Sequence, residues 1–117
     1  MNTMLTEIKA VVRIELTEQV VTALKEAGVP RLTVTHVRSV GSGVDPKNTK
    51  FSLELGTGYT EKALVQFVCD ARRVEYLVGT ITKHGQTGTA GDGVVFVTPV
   101  DRVVKIRTGV EGAEALI

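Results

Sequence analysis

The chain has 117 residues, 43% of them hydrophobic, and a formal net charge of +1. That length supports one domain with a real core rather than two, and the apolar fraction excludes a disordered chain. A near-neutral balance supplies no broad field for nucleic acid or a membrane surface, so any electrostatic recognition must be local.

A strand is predicted over Leu5–Ile14, where Ile8, Ala10, Val12 and Ile14 share one face and Glu7, Lys9 and Arg13 the other. Thr17 is placed as the N-cap of a helix with Glu18 in its first turn, and Val20, Val21, Leu24 and Ala27 form its apolar stripe. Gly28 and Pro30 end that helix. Leu32–Val40, rich in β-branched residues, reads as a second strand. From Gly41 to about Glu61 neither period holds, and the stretch reads as a long loop, of a length that is usually functional or mobile inside a compact domain. Lys62–Asp70 is a third strand with Ala63, Val65, Phe67 and Cys69 on its core face. Val74, Leu77, Val78 and Ile81 mark a second helix, stopped by Gly85. Val94–Val97 is an apolar strand, Val103–Arg107 another extended piece, and Gly109–Ile117 is weakly specified.

The order β-α-β-β-α-β is that of a ferredoxin-like α+β sandwich, a single domain spanning residues 1–117. Two helices cover one face of such a sheet. Val11, Leu64 and Val68, on the other, need a further partner, and self-association is the economical source.

The segment Thr87–Gly109 carries the chemistry. Gly88, Gly91 and Gly93 have no Cβ, so the backbone can bend and let an anion approach its N–H groups. Lys105 and Arg107, two apart on an extended chain, would share one face about 7 Å apart. Amides and cations together suit a polyphosphate. The turn lacks the GK[ST] of a Walker loop. Asp92 either holds the turn by an Asx-type bond or touches the ligand. His36, Cys69 and His84 have no metal-ligand spacing, and no serine elbow or catalytic triad order is present. The lone Cys69 excludes an internal disulfide and suits a reducing, cytoplasmic compartment. No segment has the apolar length of a membrane span, so no membrane insertion is expected.

The element order, the long loop and two motifs together resemble the PII signal-transduction family of nitrogen regulators. The motifs are Gly28–Gly43 (GVPRLTVTHVRSVGSG) and the C-terminal series Thr87-Gly88, Gly91-Asp92-Gly93, Phe96, Lys105 and Arg107-Thr108-Gly109. The resemblance covers essentially the whole chain. It implies a homotrimer, a regulator and not an enzyme, binding ATP, ADP or AMP in clefts between subunits, with Mg2+ possible beside ATP. The long loop, the family's T-loop, docks on a target membrane transporter or cytoplasmic enzyme, with no nucleic acid involved. Carried over by position, Gly91, Asp92 and Gly93 match the phosphate turn, and Lys105 and Arg107 the basic pair. Thr33 and Val68 match positions around adenine and ribose, and Gly41 and Ser42 the start of the T-loop. Lys62 matches the family's 2-oxoglutarate lysine.

There are departures. Val94 stands where the family has a phosphate-directed lysine, which should favour ADP or AMP against ATP. Gly43 replaces the glutamine that helps hold magnesium and 2-oxoglutarate. Leu55 falls where the family's uridylylated tyrosine stands, and Tyr59 is out of register, available as a docking anchor or folded onto the loop's own base. The loop differs from the nitrogen-control type and suits a divergent branch, such as those tied to inorganic-carbon or metal transport. Two further readings are a nucleotide phosphohydrolase using the same cleft and a metal-binding trimer like the divalent-cation tolerance proteins, which would unite His36 and His84 across an interface. RNA binding on this topology lacks the stacking aromatics it needs.

Overall fold

The computed structural model describes residues 4–42 and 45–117. Among the described residues, five strands and two α-helices follow in the order β1 (Leu5–Arg13), α1 (Thr17–Glu26), β2 (Thr33–Ser39), β3 (Lys50–Ser52), β4 (Thr57–Asp70), α2 (Val74–Gly85) and β5 (Val94–Val100). Four strands form an antiparallel sheet ordered β2-β4-β1-β5, while β3 pairs with the beginning of β4. This is the ferredoxin-like arrangement, with a hairpin added in the connection after β2.

Alternation places the core. Ile8, Ala10 and Val12 of β1 stand opposite Phe67, Val65 and Ala63 of β4. All six are buried, against Val20 and Leu24 of α1 and Leu77 and Ile81 of α2. Each large aliphatic side chain so enclosed contributes about 1.5–3 kcal/mol relative to exposure. Helix α1 ends in a Schellman motif: Val29 N–H bonds Leu24 O at 3.1 Å and Gly28 N–H bonds Lys25 O at 3.0 Å. Val29 and Leu24 meet in the core, so this helix end is fixed by packing as well as by its caps.

Several boundaries differ from the sequence reading. Ile14 leaves the strand and opens a 3₁₀ turn, Ile14–Leu16. Thr17 is the first residue of α1 rather than its cap, its hydroxyl donating back to Ile14 O at 2.8 Å. The expected loop 41–61 is shorter, because Asp45 caps a 3₁₀ turn over Pro46–Asn48 and the hairpin β3–β4 follows. β4 therefore starts at Thr57, five residues before Lys62. Single glycines at 56 and 58 mask a short strand pair that the register Lys50↔Tyr59 and Ser52↔Thr57 makes plain. β5 runs on through Pro99, which an edge strand tolerates. Residues 105–109 turn rather than extend: Ile106–Thr108 form a turn closed by Gly109 N–H to Lys105 O at 2.7 Å. The tail gains form from the Val104↔Glu111 bridge and a 3₁₀ helix, Gly112–Leu116, that buries Ala115.

The outer strands are left open. Val34 of β2 and Val94, Phe96 and Val97 of β5 are all exposed large apolar residues. Val11, Leu64 and Val68, on the sheet face away from the helices, are half-buried.

Candidate functional site

The glycine turn joins α2 to β5 and is organised by one carboxylate. Asp92 accepts from the Thr87 and Gly88 N–H groups, each at 2.8 Å, and from the Thr87 hydroxyl at 2.5 Å. Its fourth donor is Arg13 Nε at 2.9 Å. These bonds, that of the Thr87 hydroxyl first, hold the Asp92 carboxyl far below the usual carboxylate range. Of the two roles open to Asp92, holding the turn is the one its bonds perform. The amides of Thr87 and Gly88 are thereby engaged inside the turn, while among the described residues those of Gly91 and Gly93 have no internal partner.

Glycine is needed here for a reason other than ligand approach. Gly93 has φ +99°, and a Cβ on it would lie 1.8 Å from Val11 O of β1. At Gly91, with φ +103°, the Cβ would lie 2.7 Å from Asp45 Cβ. The turn is pressed against the sheet on one side and against the loop after β2 on the other. Any L residue would have to displace backbone.

Arg13 is the centre of this region. Alternation assigned it to the solvent face of β1, yet its side chain is only 7% exposed. Besides Asp92 it donates to Asp45 Oδ2 at 3.0 Å, Thr89 Oγ1 at 2.9 Å and Ala90 O at 2.8 Å. The bonds to Asp45 and then Asp92 raise the guanidinium pKa against the opposing effect of burial. Asp45 is held below the ordinary carboxylate range, first by Arg13 and then by Lys47 N–H and the Asn48 amide. Directly opposite Arg13 on β4 stands Lys62, whose ammonium donates to Gly91 O. Burial pushes the Lys62 pKa down and the adjacent Arg13 adds to the shift. Two cations side by side on the open sheet face are tolerable because Asp45, Asp92 and the turn carbonyls close over them. Neither Arg13 nor Asp45 was picked out from sequence. The available signal was a cation pair facing across β1 and β4, which requires the register.

A cleft of ≈ 350 Å³ opens beside this cluster, lined among others by Arg13, Lys47, Lys50, Thr60, Glu61 and Lys62. The Thr60 hydroxyl is buried there without a protein partner. Tyr59 folds onto the loop's base, its ring 5.6 Å from the Arg38 guanidinium carbon. His36 sits on β2 near Glu61, and His84 on α2 bonds Thr80 O, so one chain does not unite them. Among the described residues, no group of three or more histidine, cysteine or acidic side chains is placed to hold a metal ion. No helix there is long and apolar enough to cross a membrane.

The other expected cations lie elsewhere. Val94 pairs with Val11 and Val100 with Leu5, so β5 carries the chain to the far end of the sheet, about 20 Å from the glycine turn. There Lys105 and Arg107 occupy the turn already described, not one face of a strand. Lys105 Nζ donates to Ile117 O at 2.7 Å, and Arg107 is exposed. With Arg31 they line one cleft against Val103, Ile106 and Ala115. Val68, opposite Glu7, lies toward the same end, while Thr33, opposite Gln66 and so level with Lys9, stands midway along the sheet. Gly91–Val94, Lys62, Gly41 and Ser42 belong to the first, since Ser39 pairs with Thr60 beside Lys62. Gly43 lies outside the described residues. Within one chain the glycine turn and the cationic turn thus stand at opposite ends of the sheet and are not brought together.

The family described as "Nitrogen regulatory protein P-II" matches residues 5–110. Nitrogen regulatory protein P-II 2 of Methanothermobacter thermautotrophicus is 37% identical over 110 residues, 94% of this chain and 96% of that protein. The Synechocystis nitrogen regulatory protein P-II is 32% identical over 94% of this chain and 98% of its own. Among solved structures, Arabidopsis thaliana PII bound to citrate matches with TM-score 0.75 and 30% identity, covering 97% of this chain and 90% of that one. The B. subtilis GlnK–ATP complex matches with TM-score 0.75 and 25% identity, covering 96% and 97%.

Proposed function

The chain belongs to the nitrogen regulatory protein P-II family, signalling regulators rather than enzymes, and from that premise we propose that it senses adenine nucleotides as a cytoplasmic homotrimer. Each nucleotide lies between two copies. One copy contributes Gly91, Asp92, Gly93 and Val94 with Gly41 and Ser42; the neighbour contributes Thr33, Val68, Lys105 and Arg107. The observation that carries this reading is the separation of the two half-sites within one chain. A phosphate-sized charge needs the amides of one and the cations of the other, and only a second copy can supply both. The open edges at β2 and β5, with exposed Val34 and Phe96, support association. That a related structure holds ATP supports the ligand class.

Val94 places no cation beside the phosphates, so ADP or AMP competes well against ATP, which enters with Mg2+. The hairpin β3–β4 presents Phe51, Leu53 and Leu55 to solvent and serves as the docking element for a target transporter or enzyme. Lys62, which donates to Gly91 O, can direct its remaining N–H groups to a carboxylate effector such as 2-oxoglutarate. Calorimetry with ATP, ADP and AMP tests the core of this reading. Micromolar to submillimolar binding of at least one, with one site per chain, is expected. No heat from any at millimolar concentration rejects it.

A further inference from the structure

We propose that Asp45 and Arg13 form a latch, exchanging with a Glu15–Arg13 pairing, through which the glycine turn sets the position of the loop after β2. The proposal deepens the nucleotide-sensor reading and rests on it for the identity of the signal, though the latch itself is a property of the chain alone.

One guanidinium spans two segments that are otherwise distant in sequence. Its NH1 holds Asp45 of the loop, while Nε and NH2 hold Asp92, Thr89 and Ala90 of the turn. Asp45 in turn organises its own segment, accepting from Lys47 N–H at 2.9 Å and Asn48 Nδ2 at 2.8 Å, while its carbonyl accepts from Thr49 Oγ1 at 2.8 Å. Moving Asp45 therefore moves residues 45–49 as a unit. Steric contact runs alongside the charge contact, because the loop packs against the missing side chain of Gly91.

With Nε and NH2 held by the turn, release of Asp45 leaves the buried NH1 without an acceptor, and a second carboxylate can take its place. Glu15 is in place: its carboxylate lies 3.9 Å from the same NH1, and its side chain is 59% exposed and free to swing inward. Two discrete pairings of one buried cation make a two-state element, which a ligand shifts only if it favours one pairing. An anion drawn to the amides of residues 91–93 pulls on the turn that Arg13 holds. It thereby changes which carboxylate reaches NH1.

The test is amide hydrogen exchange on the intact protein, followed at residues 45–52 and 87–93, with and without saturating ADP. In the nucleotide-free state Asp45→Asn is expected to speed exchange at least tenfold in both segments, and Glu15→Gln to slow it in the loop. With ADP, the wild type should change in both segments and Asp45→Asn only in 87–93. Faster exchange confined to 45–52 in nucleotide-free Asp45→Asn overturns the latch, as does a loop response to ADP that persists in that variant. Should Asp45→Asn fail to fold, Asn48→Ala weakens the hold on Asp45 without touching Arg13. A smaller acceleration in both segments then supports the latch, and one in the loop alone overturns it. If ADP leaves wild-type 87–93 unchanged, the nucleotide reading fails, and the nucleotide-free comparison decides the latch by itself.

Discussion

The two halves of the candidate site are built on opposite plans. The glycine turn at residues 87–93 is locked within one chain by Asp92, Arg13 and Lys62, and its backbone is pressed against Val11. The cationic turn at 105–109 is held mainly by its own backbone, and it presents Arg107 to solvent. The first is preorganised and sensitive to any internal change. The second is a surface element whose value depends on what is brought against it. A half-site that supplies directed amides must be rigid, because a misplaced N–H is a lost bond; one that supplies charge need only be near.

Substitutions should separate the halves accordingly. Gly93→Ala places a methyl group into Val11 O and should cost on the order of 4 kcal/mol in stability by urea unfolding. A loss under about 1 kcal/mol would mean the turn is not pressed against β1. Arg13→Met leaves Asp45 and Asp92 without their cation, and about 3 kcal/mol is expected, discounted for the partial exposure of Asp92. By contrast, Arg107→Ala should leave stability within about 0.5 kcal/mol yet weaken nucleotide binding by roughly 1–3 kcal/mol in calorimetry. Unchanged affinity would remove Arg107 from the site.

A graded effect comes from pH. Asp92 and Asp45 titrate below their unfolded values, so their contribution is fully present above about pH 4 and fades as pH falls through the folded values. The urea midpoint should therefore drop as pH is lowered from about 4 toward 2, and drop less steeply in Asp92→Asn. Equal slopes would place the acid sensitivity elsewhere. The smallest change is expected from Val94→Lys, at an exposed position that tolerates a long side chain. It should shift the ATP:ADP affinity ratio toward ATP by a factor of about 5, or about 1 kcal/mol. An unaltered ratio would show that this position does not face the phosphates.

Much of the fold was legible because its signals are local. Period two in β1 and β4 and period near four in α1 and α2 name most of the core residues that the structure buries, from Ile8 to Ile81, though Ile14, expected on the same face, is exposed. The β3–β4 hairpin was hidden because three paired residues among glycines carry too little pattern to register. The extended reading of Lys105 and Arg107 failed because alternation over five residues does not distinguish a strand from a turn closed by Gly109.

What the chain determines by itself is which faces are apolar, where helices stop, and that glycines, an aspartate and two cations are available for an anion. Those follow from side-chain chemistry at fixed spacing. Only the tertiary structure decided that Arg13 is buried, that Asp45 and Asp92 converge on it, and that the turn and the cations stand at opposite ends of the sheet. Each of these depends on strand register and on the direction of β5, and no local pattern encodes which distant carboxylate a buried guanidinium will meet.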